Sequence, residues 1–97
     1  MLNSRQRAQL RGMANSIQPI FQIGKGGVGE QLIKQVNEAL EARELIKLTV
    51  LETSPTRPRE CADTVAEATD SDVVQVIGSK FILYKQSADN KQIVLVK

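Results

Sequence analysis

The 97 residues predict a single α/β domain of order α-β-α-β-α-β-β, a mixed four-stranded sheet packed with three helices. Three observations predict it. Apolar positions switch repeatedly between helical and strand spacing. One strand passes into a helix through Gly24-Lys25-Gly26-Gly27-Val28-Gly29, which holds four of the six glycines. Two apolar runs, Val73–Ile77 and Lys80–Tyr84, are separated only by Gly78-Ser79, and glycine first in a two-residue loop signals a type II′ hairpin.

The elements follow in order. Ser4 is the expected cap of a first helix with Arg5–Ser16 as its body. Leu10, Met13, Ala14 and Ile17 form its apolar stripe, with Arg7 and Arg11 together on one flank. Pro19 stops the helix, and Ile20–Ile23 is the first strand. The second helix spans about Glu30–Glu44, capped by Gly29, with Leu32, Val36, Ala39, Leu40 and Arg43 facing inward and Ile33 beside them. Leu45–Leu51 is a strand whose Ile46, Leu48 and Val50 share one face. Glu52–Arg59 is a loop, and Pro58 suits the first turn of a third helix that runs to about Thr69. Ala62, Val65, Ala66 and Thr69 face inward there, with Cys61 beside them as a small buried residue rather than a reactive thiol. After the hairpin, Gln86–Lys91 is a loose turn, and Ile93–Val96 fits either an edge strand or a docked tail.

Composition excludes more than it selects. There is no histidine, which removes Ser-His-Asp and Cys-His catalysis and most zinc sites. The single cysteine cannot form an internal disulfide and suggests a reducing compartment, the cytoplasm. No apolar run approaches the roughly 20 residues of a membrane span. No metal, cofactor or membrane partner is expected. The formal charge of +2 does not announce a nucleic-acid ligand, so any such claim rests on where the charges fall.

Strands joined through helices run parallel, so the first three strands end at one edge of the sheet. The glycine turn, the loop over residues 53–58 and the Gly78-Ser79 turn belong there. The first helix is expected to return its N-terminus to the same end. The cations gathered would be Arg5, Arg7, Lys25, Arg57, Arg59 and Lys80, against Glu30, Glu52 and Glu60. The opposite end collects Glu38, Glu41, Glu44, Glu67, Asp70 and Asp72, with Arg43, Lys47 and Lys85.

Three functions compete for the glycine turn. Gly24–Gly29 matches G-x-G-x-x-G, and Glu52 ends the next strand as a ribose-binding acid would, but the chain has no room for a second nucleotide-binding half. No Walker motif is present. The turn could also be structural only, in a protein–protein adaptor. Third, Gly24-Lys25-Gly26-Gly27 is a G-x-x-G loop, which in RNA-binding modules lets two backbones approach while a cation meets phosphate. In KH domains that loop joins two helices, whereas here it joins strand to helix.

The wider pattern resembles a known family. Arg11-Gly12-Met13-Ala14, then Pro19-Ile20 before the G-x-x-G turn, then Glu44-Leu45-Ile46-Lys47-Leu48, then Val74-Gln75-Val76-Ile77-Gly78 and Phe81-Ile82-Leu83-Tyr84 are similar in order and spacing to the CRM domain (chloroplast RNA splicing and ribosome maturation), in its bacterial stand-alone YhbY-type form. The resemblance covers nearly the whole chain. It implies a fold similar to the C-terminal domain of translation initiation factor three, RNA binding without catalysis, and association with precursors of the large ribosomal subunit. By position, the family's loop falls on Gly24, Lys25, Gly26 and Gly27. The family pattern has Asn where Gly26 stands and Thr where Gly29 stands, so this turn is the more flexible version. The expected RNA surface is therefore Gly24–Gly27 with Lys25, surrounded by Arg5, Arg7, Arg57, Arg59 and Lys80, and extended by Arg11. The partner expected is RNA of the large-subunit precursor, not DNA. With only Phe21, Phe81 and Tyr84 as aromatics, contacts should favour backbone and shape over base stacking.

Overall fold

The computed structural model describes residues 2–97; Met1, part of the single domain expected over 1–97, lies outside them. The elements are α1 (Ser4–Ala14), β1 (Pro19–Ile23), α2 (Glu30–Arg43), β2 (Leu45–Val50), α3 (Pro58–Thr69), β3 (Asp72–Ile77) and β4 (Lys80–Tyr84). This is the expected order, three helices on a mixed four-stranded sheet. Strand order in space is β1-β2-β4-β3. β1 and β2 are parallel, and β4 is antiparallel to both its neighbours, so β1, β2 and β3 all point the same way.

Two layers cover the sheet. On one face, Ile23, Ile46, Leu48, Val50, Phe81 and Leu83 bury themselves against Val36 and Leu40 of α2 and Cys61, Ala62, Val65 and Ala66 of α3. The inward faces expected for α3 and β2 are confirmed, and Cys61 is buried among apolar side chains. Arg43 is the exception on α2: it is exposed. On the other face, Leu45, Val74, Ile82 and Tyr84 meet Leu10 and Ala14 of α1.

α1 differs in detail from expectation. Its cap is Asn3 rather than Ser4. The Gln6 backbone N–H donates to Asn3 Oδ1 at 2.9 Å, and the Asn3 N–H donates to Gln6 Oε1 at 3.0 Å. A reciprocal box satisfies two orphan donors where Ser4 alone would satisfy one. The helix ends at Ala14, not Ser16, because the chain tightens there into i→i+3 bonds from Asn15, Ser16 and Ile17. The hairpin agrees with its signal: Gly78 has φ +58 while Ser79 does not enter the positive region.

The segment after β4 is a docked tail and not a strand, and two glutamates hold it. Glu44 ends α2 with φ +66 and is fully buried. Its carboxylate accepts the N–H groups of Ser87 (2.8 Å), Gln92 (2.7 Å) and Ile93 (2.7 Å). Its own carbonyl accepts Lys85 N–H at 2.9 Å. One turn earlier, Glu41 accepts the Ser87 hydroxyl and the N–H groups of Ala88 and Asp89. The tail then lies along α1, where Gln6 and Gln9 donate to the Val96 and Val94 carbonyls at 2.9 Å each. This places Ile93 and Leu95 on the second core. So Glu41 and Glu44, expected as part of an acidic surface, are anchors.

Burial, the largest influence on Glu44, pushes its carboxyl pKa up, but the three backbone donors outweigh it and hold the group below the usual glutamate value. Glu41 is lowered too, first by the Ser87 hydroxyl and then by the Ala88 and Asp89 amides. Replacing Glu44 by Gln keeps the shape but turns an NH2 toward N–H donors. Urea unfolding should then show a loss of about 2–3 kcal/mol, with the tail cleaved earlier by trypsin after Lys91; a change below about 0.5 kcal/mol would mean the carboxylate anchors nothing. Because both folded pKa values lie below the unfolded ones, the unfolded chain binds more protons as acid is added. Stability from these groups should be complete above about pH 5 and be lost as pH falls through the folded values, read as thermal midpoint against pH. Replacing both glutamates by Gln should flatten that acid limb.

Candidate nucleic-acid interface

The shared direction of β1, β2 and β3 brings three connections to one end of the sheet: the glycine turn, the segment 51–57 and the Gly78-Ser79 turn. They touch. Leu51 N–H donates to the Ile23 carbonyl at 2.8 Å, and Val50 N–H donates to the Ser79 carbonyl at 2.6 Å. Between 51–58 and 78–79 lies an open concavity of about 490 Å³ lined by Glu52, Pro55, Arg57 and Ser79 among others.

The turn itself closes with Gly27 N–H on the Gly24 carbonyl at 2.9 Å. Its glycines have different reasons. Gly27 has φ +66, and a Cβ there would stand 3.0 Å from Pro55 Cγ, so the fold requires a glycine. A Cβ on Gly24 would be 3.4 Å from the Leu51 side chain. Gly26 has neither a positive φ nor any neighbour within 4 Å, so folding does not ask for it. Lys25 and Gly26 are exposed at the tip.

Two helices begin at this end. Gly29 caps α2 and Arg57 caps α3, and neither supplies a side-chain hydrogen bond. Their first-turn N–H groups are therefore left without a capping side chain, apart from Pro58, which has no N–H. Open N-termini carry partial positive charge and attract anions. Glu30 and Glu60 in the same first turns, and Glu52 on the loop, offset part of it.

Four of the expected cationic positions belong to this end, and three do not. Lys25 and Arg57 are exposed on adjoining loops. Arg59, in the first turn of α3, pairs with Asp63 at 3.3 Å, an exposed pair that costs little to break. Lys80 opens β4, opposite Thr49 and Ile77. Arg5 and Arg7 are elsewhere, a correction to the expected course of α1. That helix lies across the opposite half of the sheet: Arg7 donates to the carbonyl of Val73 at the start of β3, and Leu2 and Gln6 border Asp70, Asp72 and Lys85. The tail pins α1 there, roughly 13 Å along β3 from the hairpin turn. Arg5 projects from the outer side of α1, and Arg11 follows Arg7 one turn later on the same flank.

Lys47 lies toward the acidic end as expected, in register with Pro19 at the start of β1. The expectation left out its face: Ile46 and Leu48 are buried under α2 and α3, so Lys47 stands on the other face of the sheet, in register with Ile82. The alternation of Ile46, Leu48 and Val50 already contained that signal. Among the described residues no helix is long and apolar enough to cross a membrane and no group of His, Cys, Asp and Glu is arranged to hold a metal.

Comparison with known proteins agrees with the architecture. The CRS1 / YhbY (CRM) domain matches residues 2–85. A Bacillus subtilis (strain 168) protein named "Probable RNA-binding protein YqeI" is 47% identical over 95 residues, covering 98% of this chain and 99% of its own. A Haemophilus influenzae protein named "RNA-binding protein" is 28% identical over 90 residues, covering 93% of this chain and 91% of its own. The solution structure of a hypothetical Staphylococcus aureus protein, described as a candidate RNA binder, superposes with TM-score 0.82 at 50% identity, over 99% of this chain and 100% of that one. The match over residues 2–85, together with a relative 47% identical over 98% of this chain, makes the chain a member of the CRS1 / YhbY (CRM) domain family, a family of RNA-binding proteins and not of enzymes.

Proposed function

We propose that the protein binds RNA at the loop end of its sheet, with the Gly24–Gly27 backbone against the sugar-phosphate chain, and that its target is ribosomal RNA in precursors of the large ribosomal subunit. The observation that carries the site is the meeting of a glycine-rich turn, exposed at its tip, with two helix N-termini that lack side-chain caps. Lys25 and Arg57 add full charges beside them, and Lys80 borders them on the sheet. Arg59 lies at the margin. Such an array meets phosphate oxygens and carries little base information, which suits a large structured RNA. The ribosomal target rests on the family resemblance, and a cytoplasmic setting fits the unpaired Cys61.

Two kinds of variant test the site. Lys25→Gln with Arg57→Gln should flatten the plot of log affinity against log salt by about 1.5, from slopes of about 0.7 to 0.9 per phosphate contact, with unfolding unchanged. An unaltered slope would move the RNA away from this end. Gly26→Ala should weaken binding while stability stays within about 0.5 kcal/mol, because only the RNA needs that space. Gly27→Val should cost about 1–3 kcal/mol of stability through its positive φ and Pro55. The target is tested by crosslinking in cells: crosslinked reads should concentrate on large-subunit ribosomal RNA, and a spread over messenger or transfer RNA would overturn that assignment.

A further inference from the structure

α1 covers only half of its face of the sheet. Among the described residues, no helix or tail packs over the other half, between α1 and the loop end. The β-strand alternation identifies what stands on it. Gln22 and Thr49 are partners in the β1–β2 register, Thr49 pairs with Lys80, and Lys80 pairs with Ile77. One row nearer α1, Lys47 pairs with Ile82, which pairs with Gln75 beside the β3 bulge. Lys47 and Lys80 are diagonal neighbours, roughly 7 Å apart at the backbone.

The flank of α1 that borders this surface carries Arg7 and Arg11. The opposite flank, with Gln6 and Gln9, is the one bonded to the tail. Arg7 uses one of its five N–H donors on the Val73 carbonyl. Among the described residues the one ion pair is Arg59–Asp63, so Arg7, Arg11, Lys47 and Lys80 have no carboxylate partner. Among the described residues, Asp72 at the far start of β3 is the only acid in the four strands.

Like charges gathered on one face repel one another, and among the described residues no carboxylate pairs with them. An anionic partner would. Among the described residues no aromatic ring is exposed on this half of the sheet: Phe81 and Tyr84 are buried, and the half-buried Phe21 packs on the opposite face against the α2 and α3 core. Bases have no ring to stack on, while Gln22, Thr49 and Gln75 offer hydrogen-bonding groups that suit sugar hydroxyls and phosphates.

We propose that the uncovered half of the sheet is a second RNA surface, on which Lys47, Lys80 and Arg11 hold the phosphate backbone of the same RNA that meets the glycine turn. The proposal rests on the RNA-binding reading above. Lys80, at the end of the sheet nearest the hairpin turn, joins the two surfaces into one track.

The test uses variants that leave the loop end intact. Lys47→Gln with Arg11→Gln is compared with wild type and with Lys34→Gln plus Lys91→Gln, which removes the same charge from exposed positions on α2 and the tail. The probe is a fluorescent 30-nucleotide polyuridine, titrated by anisotropy from 50 to 300 mM salt, with thermal midpoints as the folding control. The sheet variant should flatten the log–log salt slope by about 1.5 and weaken binding severalfold, the control much less. A sheet variant that keeps the wild-type slope, or a control that loses as much, overturns the second surface while leaving the loop site standing. Wild-type protein that fails to bind the probe and large-subunit ribosomal RNA alike overturns both readings together.

Discussion

Much of this structure depends on one buried carboxylate. Glu44 ends α2, starts β2 without a linker, and gathers three backbone N–H groups from a tail more than forty residues later. A carboxylate taken out of water without such donors would be strongly destabilising. With them it becomes a fixed point for three parts of the chain: the end of α2, the exit of β4 through Lys85, and the tail. The tail in turn closes the second core with Ile93 and Leu95 and ties to Gln6 and Gln9 of α1. The position of α1 thus follows from a glutamate on another element. That position decides which half of the sheet stays open and where Arg7 and Arg11 stand.

The loop end is arranged by direction rather than by sequence proximity. Inserting β4 between β2 and β3 lets three strands point the same way while the hairpin turn returns beside the segment 51–57. Gly27 is fixed by Pro55 from that segment, so the turn is held from behind while Lys25 and Gly26 face outward. A net charge of +2 conceals this. At physiological salt, charges interact over roughly 8 Å, so a ligand at the turn senses Lys25, Arg57 and the two helix starts and little of the acidic far end.

What the sequence showed was local. The period of Ala62, Val65, Ala66 and Thr69, the alternation of Ile46, Leu48 and Val50, and the Gly78-Ser79 turn each report a backbone geometry encoded within a few residues. All are found as expected. Strand order could not be read that way, because it depends on which sheet edge each strand meets. The course of α1 was misjudged for the same reason, since its neighbours lie near residue 73 and residues 93–96. Glu44 looked like a surface acid because nothing near it in sequence reveals the amides that satisfy it. Lys47 lies toward the end of the sheet expected for it, and the face it occupies was legible in the alternation of Ile46, Leu48 and Val50.

The central claim is that RNA lies against the glycine turn. An amide-resolved NMR titration with an RNA fragment tests it without any substitution. The account predicts the largest shift changes at Gly24–Gly27 and at the first residues of α2 and α3. Changes confined to the groove between α2 and α3, lined by Asn37, Thr64 and Ala68, with the turn unmoved, would contradict it.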